Sequence, residues 1–581
     1  MSLNPNVCIK LDENKVLMFG VLRKDKYGES YFIPKGEAVT LNFIVDSFET
    51  GEQFYLLSYK RNGQDKTVLF PCEKLSKSGI LSLAKDGVDV TENNATVLLD
   101  CLQNQRYELV NCQASTPKQE YVHKQLGWFD VQDSKVFRCD NLISMDVINS
   151  TYKGEYDIKP KGSLDVWSDM VKSQVLGNTN LELAVIIGLS ACVNGYIGKV
   201  LGCDNLLVHF MGESTTGKTT ASMLALSTAG YPDQNSVSKE SLFRTWHSTK
   251  NAMFQPLIGN NGYPVLFDEF SMNSSNSITD LVYAMTNGKD KSRLNKDAEQ
   301  KITNSFQTTI ISTGEASLYN KCSNNTGLLV RIVEFANVQW TESAKQSDII
   351  KQCCRMNYGW AIQEMAKTLL DCDKNSIVDT FNEEKEKFLQ CLNKVDSFSE
   401  RIANKYTLLL VTTLIANETF DFEFNYDEIF QALVDNENLT RQELSTDIGQ
   451  TAYSKLVEYI EIHRANFVCG CDHLANEVFG KIFEEKQLLI PVDRFKIIMQ
   501  SLGFEDVKPI LKSWKASGML IHEDGKLTVR RVITDRGKRL NCYAVTYKSN
   551  ELREEIAERV PELFVYKLDR KTGVKTKCKV H

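Results

Sequence analysis

Leu206-Leu207-Val208-His209-Phe210-Met211 runs directly into Gly212-Glu213-Ser214-Thr215-Thr216-Gly217-Lys218-Thr219. The first six residues are apolar except for His209, as in a strand buried on both faces of a parallel sheet. The next eight satisfy Gly-x-x-x-x-Gly-Lys-Ser/Thr, and a helix is predicted from Thr219, through Thr220, to about Leu226. Gly212 and Gly217 let the backbone curl so that successive N–H groups, from Glu213 through Thr216, face a phosphate. The helix N-terminus adds its dipole. Lys218 is placed to neutralise the β- and γ-phosphate oxygens of ATP, and the Thr219 hydroxyl to reach Mg²⁺. Strand, loop and helix in this order predict an α/β P-loop fold.

A second element lies 50 residues beyond Lys218: Val265-Leu266-Phe267 ends in Asp268-Glu269. Asp268 at a strand end can hold Mg²⁺, and Glu269, one residue on, can polarise the attacking water. The adjacent Glu favours a hydrolysing motor over a small-molecule kinase, which needs no water-activating base. Phe306–Ile311 is expected as the next strand, ending in Ser312-Thr313-Gly314-Glu315, and either Ser312 or Thr313 is placed to sense the γ-phosphate. Arg331 sits among apolar residues in Gly327-Leu328-Leu329-Val330-Arg331-Ile332-Val333-Glu334-Phe335. It has two uses: pairing with Glu334, or reaching a neighbouring subunit's γ-phosphate. Arg401 follows the capping box Ser397-Phe398-Ser399-Glu400 in the first turn of a predicted helix, where it can also be a plain surface residue.

The 581 residues allow roughly three to five domains. With 42% hydrophobic and 25% charged residues, 11 Pro and 32 Gly, neither a disordered nor a collagen-like chain fits. The net charge of −7 excludes a globally basic nucleic-acid coat, so any nucleic-acid site must be a local patch. Sixteen Cys without regular spacing, and an N-terminal Met1-Ser2-Leu3-Asn4-Pro5-Asn6 without an apolar core, predict free thiols and a cytoplasmic location. The most apolar stretch, Leu183–Gly198, reads as a buried helix and no membrane partner is expected.

The predicted organisation has a mainly β domain over 1–115, a connecting unit over 120–170 and an ATPase core over 171–345. A helical lid over 346–480, a winged helix over 485–548 and a flexible basic tail over 549–581 follow. In the first domain, Asn62-Gly63 marks a hairpin, and Val39, Leu41 and Phe43 alternate against Thr40 and Asn42. In the last, two helices followed by a β-ribbon carry nine Lys and Arg against three Asp and Glu between 508 and 539. Cys469, Cys471 and His473 lack the ligand number and spacer of a closed zinc site.

Together these motifs resemble an AAA+ ATPase with a helical lid and a C-terminal winged helix. Trp246-His247-Ser248-Thr249, Ile311-Ser312-Thr313-Gly314-Glu315 and the Arg331 context resemble a narrower group over about residues 120–548. This group comprises the MCM-like helicases of staphylococcal mobile elements, of the cassette-chromosome Cch and pathogenicity-island Rep type. The resemblance implies a homo-hexameric ring that hydrolyses ATP with Mg²⁺ between subunits and unwinds DNA, 3′ to 5′, beside element-encoded replication proteins. It assigns Lys218 and Thr219 to Walker A, Asp268 and Glu269 to Walker B, and Ser312 or Thr313 to sensor 1. Arg331 becomes the arginine finger and Arg401 the second sensor arginine. The zinc module of many MCM proteins has no counterpart in the chain.

Lys289, Lys291, Arg293 and Lys296 lie where such helicases carry a channel hairpin; the other reading is a solvated charged loop. Trp246 and Phe254 are either a second channel element or core residues. In the winged unit, Arg530, Arg531, Arg536, Lys538 and Arg539 are candidate duplex contacts, or the unit serves protein contacts. The leading functional expectation is an ATP-driven helicase acting on single-stranded and forked DNA. The alternatives are an ATP-switched origin-binding initiator or loader, and a protein-remodelling AAA+ machine.

Overall fold

A computed structural model describes residues 4–111, 121–131, 134–145, 149–234, 240–272, 278–289, 305–319, 330–393, 395, 399–444, 448–469, 477–483, 486–502, 504, 507–523, 525–534, 538–547, 564–568 and 575–579. Two compact units divide at Asp435/Asn436.

The first unit opens with antiparallel strands Val7–Leu11, Leu17–Lys24 and Ser30–Glu37. A second sheet contains Val39–Ser47, Gln53–Arg61 and Gln64–Pro71. The Asn62-Gly63 turn forms as expected, with φ of 52° and 75°. The expected alternation over Val39–Val45 breaks at a bulge between Leu41 and Phe43. Asn42 is the extra residue, so Phe43 turns outward at 45% exposure while Val45 is buried. Helix Ala95–Asn111 closes this core through Leu98 and Leu102. Tyr121–His123 and Ser150–Tyr152 add to the same sheet in parallel, so part of the expected connecting unit belongs to it.

The central sheet has five parallel strands: Leu206–Met211, Phe243–Thr245, Val265–Asp268, Thr309–Gly314 and Ile332–Ala336. Numbered along the chain, they lie side by side in the order second, third, fourth, first, fifth. The first strand is therefore paired on both edges, and Leu206–Phe210 are all buried, which explains its apolar run. Helix Thr179–Ile197 is long and apolar enough to cross a bilayer, and 89% of its apolar window is buried within the fold. Helix Ser399–Thr419 packs beside it and buries Lys405, whose Nζ donates to Asn205 O at 3.2 Å.

The second unit is built on helices Ile448–Ile462, Val492–Ser501 and Lys508–Ala516. Strand Gln487–Pro491 pairs with Leu540–Thr546, which also pairs with Leu520–Ile521 and Val529–Arg531. Leu456 and Ile460 share a core with Phe495, Ile510 and Trp514, and Trp514 Nε1 donates to Gly449 O at 2.7 Å. The boundary expected at 480–485 thus falls inside this core, because the apolar face of Ile448–Ile462 is buried here. In the tail expected to be flexible, Phe564–Leu568 and Lys575–Lys579 form an antiparallel pair. The aromatic and β-branched run Phe564-Val565-Tyr566 favours a strand.

Candidate nucleotide-binding and catalytic site

Parallel strands bring their C-terminal ends to one edge, and the loops leaving three of them meet there. Helix Lys218–Ser227 starts at Gly217, whose φ is 86°. A Cβ at Gly217 would meet Thr341 Oγ1 at 2.5 Å, so the glycine serves both the left-handed backbone and the close approach. The Lys218 ammonium donates to Gly212 O at 2.8 Å and Glu213 O at 2.5 Å, which holds it within the loop. Burial lowers its pKa, and the nearby Glu315 and Asp268 carboxylates oppose that shift.

Lys218, Thr219, Asp268, Glu269 and Thr313 line one cavity of about 750 Å³. That volume lies in the range of small-molecule sites. Asp268 ends the third strand, half-buried, and Thr313 Oγ1 donates to Asp268 Oδ1 from the fourth. The same hydroxyl accepts the Glu269 N–H at 3.4 Å. Glu269 is exposed, with φ of 62°, a conformation rare for a residue with a Cβ.

Ser312 faces the other way and does not line the cavity. Its oxygen accepts Trp246 Nε1–H at 2.9 Å and lies 2.8 Å from His209 Nδ1. His209 Nε2 faces the Ala316 carbonyl at 3.0 Å, so that nitrogen carries the proton. Ser312 therefore donates to Nδ1. Burial pushes the His209 pKa down to about 4, keeping the ring neutral. Of the two candidates left open by the sequence, geometry brings only Thr313 to the acidic pair. Trp246 and Phe254 are each 1% exposed and are core residues.

A family described as a domain of unknown function (DUF927) matches residues 12–305, half of the chain. The chain belongs to this family. A second family, described as the Cch helix turn helix domain, matches residues 447–550, close to the extent of the second unit's core. One solved structure, described as "SCCmec type IV Cch - active helicase", is similar in fold over 96% of this chain and 99% of that chain. Its TM-score is 0.67 and its identity 23%. No curated protein matches the chain.

Arg331 and Arg401, two further predicted residues of this DUF927 protein, do not line the cavity. Arg331 directly precedes the fifth strand, at the N-terminal edge of the sheet, with its guanidinium 4.9 Å from the Tyr283 ring centre. The Glu334 carboxylate, the alternative partner, instead accepts the Leu318 N–H at 2.7 Å and the Tyr319 N–H at 3.3 Å. Arg401 is exposed in the first turn of Ser399–Thr419. Lys289 is exposed after helix Ile278–Thr286, while Lys291, Arg293 and Lys296 lie outside the described residues. In the second unit Arg530, Arg531, Lys538 and Arg539 are exposed on or beside the ribbon, and Arg536 lies outside the described residues. Among the described residues no group of His, Cys, Asp and Glu could hold a metal ion by itself; of the residues weighed for zinc, Cys471 and His473 lie outside the described residues.

Sequence reasoning missed Glu315, Ser271 and several residues between Gln339 and Lys351, among them Thr341, Ser343 and Ser347, all of which line the cavity. The Trp340 N–H donates to Thr216 O at 2.8 Å, and Thr220 Oγ1 lies 2.6 Å from Ser347 Oγ. These contacts hold the segment after the fifth strand against the Gly212–Thr219 loop and the helix that follows it. Only Glu315, directly after Ser312-Thr313-Gly314, carried a positional signal.

Proposed function

We propose that this protein is an ATP-dependent DNA helicase, an MCM-like AAA+ motor working as a hexameric ring in the replication of a mobile element. The observation that carries the proposal is the convergence of Lys218, Thr219, Asp268, Glu269 and Thr313 on one cavity at the C-terminal edge of the parallel sheet. The strand order, with the phosphate-loop strand between the fourth and fifth, supports the AAA+ assignment. The fold likeness and the helix-turn-helix match support a role on DNA.

In this reading, backbone N–H groups of Glu213–Thr216 and the Lys218 ammonium bind the phosphates of ATP. Thr219 and Asp268 supply oxygens suited to Mg²⁺, which would neutralise phosphate charge. Thr313 fixes the Asp268 carboxylate through its hydroxyl, and Glu269 accepts a proton from the attacking water. Arg331 stands outside its own subunit's cavity, which suits a finger directed at the next subunit's γ-phosphate. Arg401 acts as the second sensor. Lys289, Lys291, Arg293 and Lys296 grip the translocating strand, and the Arg530–Arg539 ribbon contacts duplex.

The test is strand displacement on a forked duplex with Mg²⁺-ATP. Wild type should displace the strand, while Lys218→Ala and Glu269→Gln should reduce displacement at least about 100-fold. No displacement by wild type, with DNA binding and ATP hydrolysis intact, would favour the initiator or loader. Hydrolysis stimulated by protein and indifferent to DNA would favour the remodelling machine.

A further inference from the structure

Glu315 places a carboxylate in the wall of a cavity built for phosphate. Its Oε1 accepts the Ser214 hydroxyl at 2.7 Å, from the middle of the phosphate loop. The Glu315 N–H donates to Ser271 Oγ at 3.2 Å, two residues past Glu269. The preceding Gly314 carbonyl accepts the Gly212 N–H at 3.2 Å. Gly314-Glu315 thus ties the loop to the strand that carries Thr313 and to the segment that follows the acidic pair. The Glu315 and Asp268 carboxylates both act on the Lys218 ammonium. Asp268 has a use for its charge as a cation ligand, and Glu315 has none so close to phosphate. An anion beside anionic oxygens opposes binding in proportion to the ligand's charge.

We propose that Glu315 is a specificity-determining residue of the nucleotide site: its carboxylate holds the phosphate loop through Ser214 and is driven off that contact by incoming polyphosphate, which sets the preference between di- and triphosphate. The inference rests on the ATP-site reading above. The shift has a path onward. Ala316 O holds His209 of the loop's own strand, and the Leu318 and Tyr319 N–H groups hold Glu334. Tyr319 also donates its hydroxyl to Ile332 O at 2.8 Å, next to Arg331. Displacement of Glu315 therefore acts on the base of the strand that presents Arg331.

The experiment is calorimetric titration of the full chain with ADP and with ATPγS, for wild type, Glu315→Gln and Lys218→Ala, at low and moderate salt. Gln keeps an oxygen that accepts from Ser214 but removes the charge. Glu315→Gln should tighten ATPγS on the order of tenfold and ADP about threefold, with both gains shrinking as salt rises. A merely structural role would weaken both ligands alike, without salt dependence. Equal gains for the two ligands, no gain, or weaker binding with an unchanged circular dichroism spectrum would overturn the proposal. Equal binding of both ligands by wild type and Lys218→Ala would instead sink the underlying site reading.

Discussion

Thr313→Val removes one hydroxyl and keeps the shape of the side chain. In wild type that hydroxyl donates to Asp268 Oδ1 and accepts the Glu269 N–H at 3.4 Å. A hydrogen bond to an ionised acceptor contributes about 1.5–3 kcal/mol. If it is kept in the transition state, its loss slows hydrolysis about 10- to 100-fold, since each 1.4 kcal/mol or so is tenfold in rate. Ser312→Ala is the paired control, one residue away on the opposite face. It leaves Trp246 Nε1–H without its acceptor and His209 Nδ1 without its donor, both in the core. Unsatisfied buried groups cost about 1–3 kcal/mol, so Ser312→Ala should lower thermal stability and leave turnover per folded molecule within about threefold. The assay is steady-state phosphate release at saturating Mg²⁺-ATP, beside thermal melts by circular dichroism. Wild-type turnover by Thr313→Val would refute the reasoning. So would an equal turnover loss in Ser312→Ala with the fold intact.

Two further outcomes follow from the geometry. His209 has a folded pKa of about 4 against an ordinary 6.5, so the unfolded chain binds more protons between those values. The stability it contributes is present above pH 6.5 and is lost as pH falls toward 4, by at most roughly 3 kcal/mol. His209→Gln should flatten that part of a denaturation-versus-pH profile, and an unchanged slope would assign the acid sensitivity elsewhere. Replacing exposed Arg530 and Arg531 by Ala should weaken duplex binding and reduce the slope of log affinity against log salt by about 2. Unaltered binding and slope would move the second unit toward protein contacts.

The sequence alone determined the chemistry that is local in the chain. Eight consecutive residues, Gly212 to Thr219, specify the strand-to-helix loop proposed to cradle phosphate, and Asp268-Glu269 follows an apolar run that is self-evident. The Asn62-Gly63 turn was legible for the same reason, because its φ values depend on those two residues. Facing was not legible. Strand alternation requires Ser312 and Thr313 to point oppositely, but only the neighbouring strands decide which meets Asp268 and which meets His209. A one-residue bulge after Leu41 reversed the expected direction of Phe43, because register is set by the partner strand. The boundary at Asp435/Asn436 depends on which core takes the apolar face of Ile448–Ile462. Glu315 and several residues between Gln339 and Lys351 reached the cavity through contacts more than 100 residues apart in the chain, such as Ser214 with Glu315 and Thr220 with Ser347. No local pattern encodes such pairs; they exist only once the parallel sheet has gathered its strand ends at one edge.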